Sequence, residues 1–117
     1  MREIKFRGMN FCGNWVYGDL MKNSIPFEVN PDTVGQFTGL RDADGREIYE
    51  GDIVEATLKD KSFVKRFHMD ETVVGEISFD GVWWLGEWDA LWRFPRYYDL
   101  TVIGNVHDNP ELLEAQA

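Results

Sequence analysis

The sequence is poor in the residues that mark disulfide-stabilised, secreted and membrane proteins. It has one cysteine, Cys12, so no disulfide can form within the chain, and a lone cysteine is typical of a reducing compartment. The longest purely apolar run covers only residues 82–85, whereas a membrane-spanning helix needs about 20 such residues. The first residues also lack the apolar core of a signal peptide. We therefore expect a cytoplasmic protein without a membrane partner.

Recognisable catalytic and ligand-binding motifs are also absent. No serine lies in a G-x-S-x-G elbow, and no glycine-rich phosphate loop is present. His68 and His107 lie near carboxylates but lack the spaced Cys and His pairs of a structural zinc site. Residues 42–45 lack the glycine and glutamate spacing of a calcium loop. We therefore predict no catalytic residue, metal or cofactor, although a pair between Cys12 and either histidine stays open.

The bulk composition predicts one folded, acidic domain. The chain has 117 residues, the size of a single domain, so we assign residues 1–117 to one unit with a frayed tail at 115–117. Aromatic residues make up 15% of the chain, a content that disordered chains lack. A net charge of −9 repels phosphate backbones at long range. Nucleic acid is therefore a less favoured partner than protein.

The spacing of β-favouring runs predicts a mainly β fold, built as a small, partly open barrel. Such runs alternate with turn residues about every ten residues. They cover residues 15–17, 34–38, 52–58, 72–80 and 100–106. Asp80 and Gly81 predict a hairpin with a type I′ turn between residues 77–79 and 82–84.

Two helical signals stand in the last third of the chain. Asn109 as N-cap and Pro110 at the first helical position predict a short C-terminal helix. The spacing of Trp88, Leu91 and Trp92 indicates a second short helix, or a loop, over residues 87–94. Pro95 is then expected to end that element.

One segment combines basic and aromatic side chains. Residues 59–68 interleave the two types, a pattern with which proteins track a nucleic-acid strand by charge and stacking. The plainer interpretation is an exposed edge strand or β-loop protected by lysines, and we expect residues 59–71 to be an irregular insertion or edge. The candidate nucleic-acid patch consists of Lys59, Lys61, Phe63, Lys65, Arg66 and Phe67.

A second segment is crowded with aromatic residues. Residues 83–98 hold more large rings than one small core easily buries, and two arginines lie among them. Trp, Tyr and Arg are the residues that concentrate binding energy in protein interfaces. The alternative is that all of these rings belong to the core. The candidate interaction surface consists of Trp83, Trp84, Trp88, Trp92, Arg93, Arg96, Tyr97 and Tyr98.

Five stretches together resemble the YopX-like family. They are Ile4-Lys5-Phe6-Arg7-Gly8 and residues 15–20, 34–42, 44–54 and 102–113, in the expected order. The resemblance implies a phage or prophage protein of a bacterial host cell, with a compact β-barrel-like body and no catalytic residues to carry over. Gly51-Asp52-Ile53-Val54 also resembles the entry into a strand of SH3-like barrels. The expected fold is therefore a partly open SH3-like β-barrel with a short C-terminal helix.

Three functions follow from these observations. The leading hypothesis is a non-catalytic phage accessory protein that works through protein–protein contacts, with a homo-oligomer left open. The second is a nucleic-acid-binding module that uses residues 59–68. The third is an enzyme whose site is assembled from scattered Asp, Glu and His residues.

Overall fold

A computed structural model describes residues 4–18 and 29–114 of the chain, so the predicted frayed tail at 115–117 lies outside the described residues. The elements, in chain order, are β1 (Phe6–Asn10), β2 (Trp15–Gly18), β3 (Val29–Arg41), β4 (Glu47–Tyr49), β5 (Asp52–Leu58), α1 (Phe63–Phe67), β6 (Thr72–Phe79), β7 (Trp83–Leu85), β8 (Asp89–Ala90), α2 (Phe94–Tyr97), β9 (Tyr98–Asn105) and α3 (Glu111–Glu114).

The strands form two antiparallel sheets that curl into a half-barrel. One sheet has the order β2-β1-β3-β4 and the other the order β8-β7-β6-β5-β9. Gly51 joins the turn between β4 and β5 to the second sheet, because its N–H donates to the Ile77 carbonyl at 2.9 Å and its own carbonyl accepts from Val106 at 2.9 Å. The predicted mainly β class, the partly open barrel and the short C-terminal helix are confirmed.

The core lies on the second sheet. β5 is an interior strand of this sheet and pairs with both β6 and β9, so apolar side chains on both flanks pack around it. Burial of each such side chain stabilises the fold by roughly 1.5–3 kcal/mol. The core cluster consists of Ile48, Val54, Ala56, Val73, Ile77, Leu85, Leu91, Phe94 and Leu100.

The hairpin predicted at Asp80-Gly81 is present, but its turn differs from the predicted type. Phe79 pairs with Trp83, so three residues rather than two form the loop. Gly81 has a φ of 105°, whereas Asp80 keeps a negative φ, so the chain does not form a type I′ turn. The Asp80 carboxylate instead accepts hydrogen bonds from the Val82 N–H and, at 2.8 Å, from the Trp84 indole.

The helix indicated over residues 87–94 is not formed, and Pro95 begins a helix rather than ending one. Residues 86–88 form a turn, β8 follows, and a 3₁₀ turn (Leu91–Arg93) leads into α2. Pro95 lies in the first turn of α2, where its missing N–H has no role. The three residues with helical spacing do not share a face, because Leu91 is buried whereas Trp88 and Trp92 are exposed.

The segment between β5 and β6 and the segment after β9 each contain a short helix. Residues 59–71 link β5 to β6 and contain α1 in place of an edge strand. The C-terminal helix follows Asn109 as predicted, but the side-chain oxygen of Asn109 accepts from the Asn105 N–H at 3.3 Å, while its backbone carbonyl accepts from Leu112. Asn109 therefore fastens the end of β9 to the start of α3.

Candidate functional site

Strand register brings two distant segments to one end of the second sheet. Leu58 at the end of β5 pairs with Tyr98 at the start of β9, and Thr57 pairs with Thr72 at the start of β6. The connection before β6 and the connection before β9 therefore emerge side by side. Between them lies a groove of about 630 Å³.

We call this feature the aromatic groove. Its apolar base includes the buried side chains of Val73 and Phe94. Its remaining lining comes from both connections and combines large rings with charged groups. These residues are His68, Met69, Asp70, Trp88, Asp89, Trp92, Arg93, Arg96, Tyr97 and Tyr98.

Three aromatic side chains of the groove are exposed to solvent. Trp92 is 68% exposed, Trp88 54% and Tyr97 40%, so the interpretation that every ring of this segment lies in the core is wrong. The ring of Trp88 is nonetheless held in place, because its indole N–H donates to the Val74 carbonyl at 3.1 Å. The groove thus presents large apolar rings on an ordered support.

Tyr98 connects the two sides of the groove. Its hydroxyl donates to the backbone carbonyl of Asp70 at 2.8 Å. Burial, and after it the negative charge of Asp70, raise the pKa of Tyr98. The hydroxyl therefore remains a proton donor over the physiological pH range, and the hydrogen bond holds the segment before β6 against β9.

The arginines of the groove lie over its rings. The Arg93 guanidinium is 5.2 Å from the centre of the Trp92 ring and makes a 3.6 Å contact with Asp89. The Arg96 guanidinium is 5.4 Å from the centre of the Tyr97 ring. Within residues 4–18 and 29–114, no carboxylate forms an ion pair with Arg96. Arg96 is therefore open to a charged group of a partner.

The charge of the chain is distributed unevenly around this site. Segments 59–71 and 88–99 hold six of the twelve basic residues and five of the twenty-one acidic residues, a net charge of +1. The other residues that the structure describes include four basic and thirteen acidic residues, a net charge of −9. The groove end of the molecule is therefore nearly neutral on a strongly acidic body.

Trp83 and Trp84 lie elsewhere. Trp83 is half-buried, packs against the core cluster and contacts the Phe79 ring with 4.6 Å between ring centres. The Trp84 indole donates to Asp80 in the β6–β7 turn. The structure thus brings together six of the eight residues of the candidate interaction surface and separates these two from them.

The candidate nucleic-acid patch lies beside the groove rather than within it. Phe63 on α1 contacts the Tyr97 ring edge-on, with 6.1 Å between ring centres, and this contact joins the two features. The Lys59 ammonium donates to the Pro95 carbonyl, and Lys61 pairs with Glu71 at 3.2 Å. The side chains of Lys65, Arg66 and Phe67 are exposed.

His68, the last residue of the basic and aromatic segment 59–68, also lines the groove. It is the C-cap of α1 in the left-handed conformation, with φ 54° and ψ 38°, and its N–H donates to the Phe63 carbonyl. No other non-glycine residue in the described ranges has a positive φ. This cap directs the chain from α1 into the groove lining.

A second pocket, of about 400 Å³, lies between the two sheets around a buried ion pair. Arg7 on β1 and Asp52 at the start of β5 are 2.7 Å apart, and both are buried. The guanidinium lies between the rings of Trp15 and Tyr49, at 4.6 and 5.1 Å from their centres. Because the two charges compensate each other, we interpret this pair as part of the scaffold.

The environment of Tyr49 supports that interpretation. Burial, and then a hydrogen bond from the Tyr49 hydroxyl to Glu47 at 3.0 Å, strongly raise the pKa of the tyrosine. The Tyr49 backbone N–H donates to Asp52 at 2.7 Å. The Tyr49 hydroxyl and both carboxylate oxygens of Asp52 thus have partners within the fold.

The remaining candidate groups are dispersed. Cys12 lies in the exposed turn between β1 and β2. His107 contacts the Trp15 ring, whose indole donates to Asp108 at 3.1 Å. Among the described residues no group of three His, Cys, Asp or Glu side chains is arranged to hold a metal ion. In the same part of the chain no helix is long and apolar enough to cross a membrane.

Comparison with models of protein families gives a match over nearly the whole chain. The family model described as "YopX protein" matches residues 2–114, nearly the whole chain. A search of curated proteins gives no match. The matched range includes both the buried ion pair and the aromatic groove.

Proposed function

Since the chain belongs to the YopX family, we propose that it is a non-catalytic phage or prophage accessory protein that acts in the bacterial cytoplasm by binding a protein partner in the aromatic groove. The observation that carries this proposal is the exposure of Trp88, Trp92 and Tyr97 in one groove beside two arginines. The phage origin and the bacterial host are part of the proposal and come from the family resemblance, while the cytoplasmic location is proposed from the composition of the chain.

The composition of the groove favours a protein partner. Trp, Tyr and Arg dominate the binding energy of protein interfaces, and clusters of them near an apolar pocket typically form the energetic centre. Here the indole of Trp88 and the hydroxyl of Tyr98 are already fixed by hydrogen bonds. Little side-chain entropy is therefore lost when a partner covers the groove.

The test compares two single variants of exposed aromatic residues. Trp92→Ala removes a groove ring, and Phe11→Ala removes a ring that is 76% exposed in the turn between β1 and β2. Immobilised wild-type protein is incubated with nuclease-treated extract of a lysogenic or infected host. We expect one protein to be retained at a stoichiometric level by the wild type and by Phe11→Ala, and to be lost with Trp92→Ala. Equal retention by both variants would contradict the proposal.

Nucleic acid is the second candidate partner, because α1 lies directly against the groove through the contact between Phe63 and Tyr97. Binding of a fluorescent single-stranded oligonucleotide is measured by anisotropy at about 50 and about 200 mM salt, where phosphate contacts lose much of their affinity. Tight binding that falls steeply with salt and is lost in the Lys65→Ala, Arg66→Ala double variant would replace the protein proposal.

A further inference from the structure

The charge distribution restricts how two copies of this chain can approach each other. Away from the groove end the described residues have a net charge of −9, so contacts through the body bring like charges together. The groove end, with segments 59–71 and 88–99, has a net charge of +1. Two copies can therefore meet with little electrostatic repulsion when their groove ends face each other.

The groove also carries charged groups of both signs that form no ion pair among the described residues of the monomer. Arg96 and Asp70 both line it and both are exposed. In the part of the chain that the structure describes, neither side chain forms an ion pair. In a two-fold contact, a pair between Arg96 of one copy and Asp70 of the other is always accompanied by the reciprocal pair, because contacts are repeated by the symmetry. Two Arg96–Asp70 pairs can then form across the axis.

The exposed aromatic area has the size that a dimer needs. Trp92, Trp88, Tyr97 and the neighbouring Phe67 are 68%, 54%, 40% and 55% exposed. With about 200 Å² for a full aromatic side chain, they present on the order of 400 Å² per copy. A standard interface buries about 800 Å² per partner, of which roughly 60% is apolar. These four rings supply most of that apolar part.

From these three observations we propose that the partner of the aromatic groove is a second copy of this chain, docked groove to groove about a two-fold axis. The inference rests on the proposed function, which requires a protein in the groove, and it names that protein. Trp88 and Trp92 form the apolar centre of the contact, and Arg96 and Asp70 of the two copies pair at its rim.

The first experiment measures the mass of the full chain in solution by sedimentation over a range of concentrations. We expect a species of twice 13.6 kDa. Because the centre is apolar and salt screens the repulsion between the acidic bodies, the dimer should be retained or strengthened as salt rises from about 50 to about 500 mM. Trp92→Ala should weaken association at least about 30-fold, as loss of a central aromatic does, while Phe11→Ala should leave it unchanged.

The second experiment tests the two-fold geometry by exchanging charges. Arg96→Asp alone places two pairs of like charges across the axis, and so does Asp70→Arg alone, so each single variant should associate more weakly than the wild type. An equimolar mixture of the two variants restores opposite charges at both contacts and should form mixed dimers. Both residues are exposed, so folding should not change, and circular dichroism checks this.

The outcomes separate this inference from the proposed function. A chain that is monomeric at all concentrations, or single variants whose mixture does not associate, would overturn the second-copy proposal. If a host protein is still retained through Trp92, the proposed function survives that result. Oligonucleotide binding that depends on the groove would overturn both.

Discussion

Replacement of Asp52 by Asn should destabilise the fold strongly, because it leaves the buried Arg7 guanidinium without a counter-charge. The two groups are 2.7 Å apart, with 8% and 2% of their side chains exposed. Asn keeps the size of the side chain and retains an oxygen that can accept the Tyr49 N–H, now bonded to Asp52 at 2.7 Å. The substitution therefore removes both the charge and the oxygen that Arg7 contacts, and it leaves the hydrogen bond from Tyr49 in place.

The expected loss in free energy of unfolding follows from the burial of the ion pair between Arg7 and Asp52. Removing one partner of a buried ion pair costs roughly 3–5 kcal/mol, out of a total free energy of unfolding of about 5–15 kcal/mol. At about 4 °C per kcal/mol, the melting temperature should fall by roughly 12–20 °C. Urea unfolding followed by tryptophan fluorescence measures the free energy, and Trp15 lies directly on the guanidinium as a reporter. Arg41→Ala, which breaks a 3.4 Å surface contact with Glu47, should cost less than about 1 kcal/mol.

Repeating Asp52→Asn in a protein that already lacks the Arg7 charge tests whether the lost ion pair causes the destabilisation. In an Arg7→Met protein the Asp52 carboxylate is itself a buried, unpaired charge, so Asp52→Asn should be neutral or stabilising there. The sign of the effect thus reverses between the two backgrounds. If Asp52→Asn costs the same free energy in both, the ion pair is not what stabilises this part of the fold, and the reasoning is refuted.

Two further substitutions test packing and charge by the same unfolding measurement. Gly35→Ala should destabilise by about 1–3 kcal/mol, because the added Cβ would lie 2.6 Å from the backbone oxygen of Glu50; a cost below about 0.5 kcal/mol would contradict this. Burial tends to raise the pKa of Glu47, but hydrogen bonds from Lys5 and Tyr49 outweigh it and lower the pKa below its ordinary 4.5. The charged Glu47 therefore stabilises the fold above pH 4.5, and this contribution is lost as the pH falls through the lower folded-state value. Glu47→Gln should lower the unfolding midpoint at neutral pH and barely change it at about pH 2, whereas equal shifts at both would contradict the argument.

The β-strands could be predicted from the sequence because their signal is local. The strand predicted over residues 52–58 has the observed bounds, since its β-favouring residues are buried in an interior strand of the sheet. The Asp80-Gly81 hairpin follows from residues that tolerate a tight turn. Its turn type was wrong because the carboxylate of Asp80 finds donors inside the loop, and this side-chain bonding selects a three-residue turn.

The groove could not be predicted in the same way, because it depends on strand register. The sequence showed the basic and aromatic segments separately, but nothing local indicates that Leu58, Thr72 and Tyr98 end up at the same end of one sheet. The helical spacing around Leu91 was also misleading. Tertiary packing draws Leu91 alone into the core, and local periodicity cannot distinguish that from an apolar helix face.

The stretches that carry the family resemblance include buried residues that hold the fold together, whereas the exposed rings and arginines of the groove lie outside those stretches. Arg7 and Asp52 lie within the resembling stretches, and they form the buried pair that fastens β1 to the start of β5. Trp92 and Arg96 lie in the part between those stretches and face the solvent. Membership of the family, which rests on a match over residues 2–114, does not by itself identify a partner. We propose to seek that partner at the groove, where Trp92→Ala removes a ring that is 68% exposed and should leave the half-barrel beneath it folded.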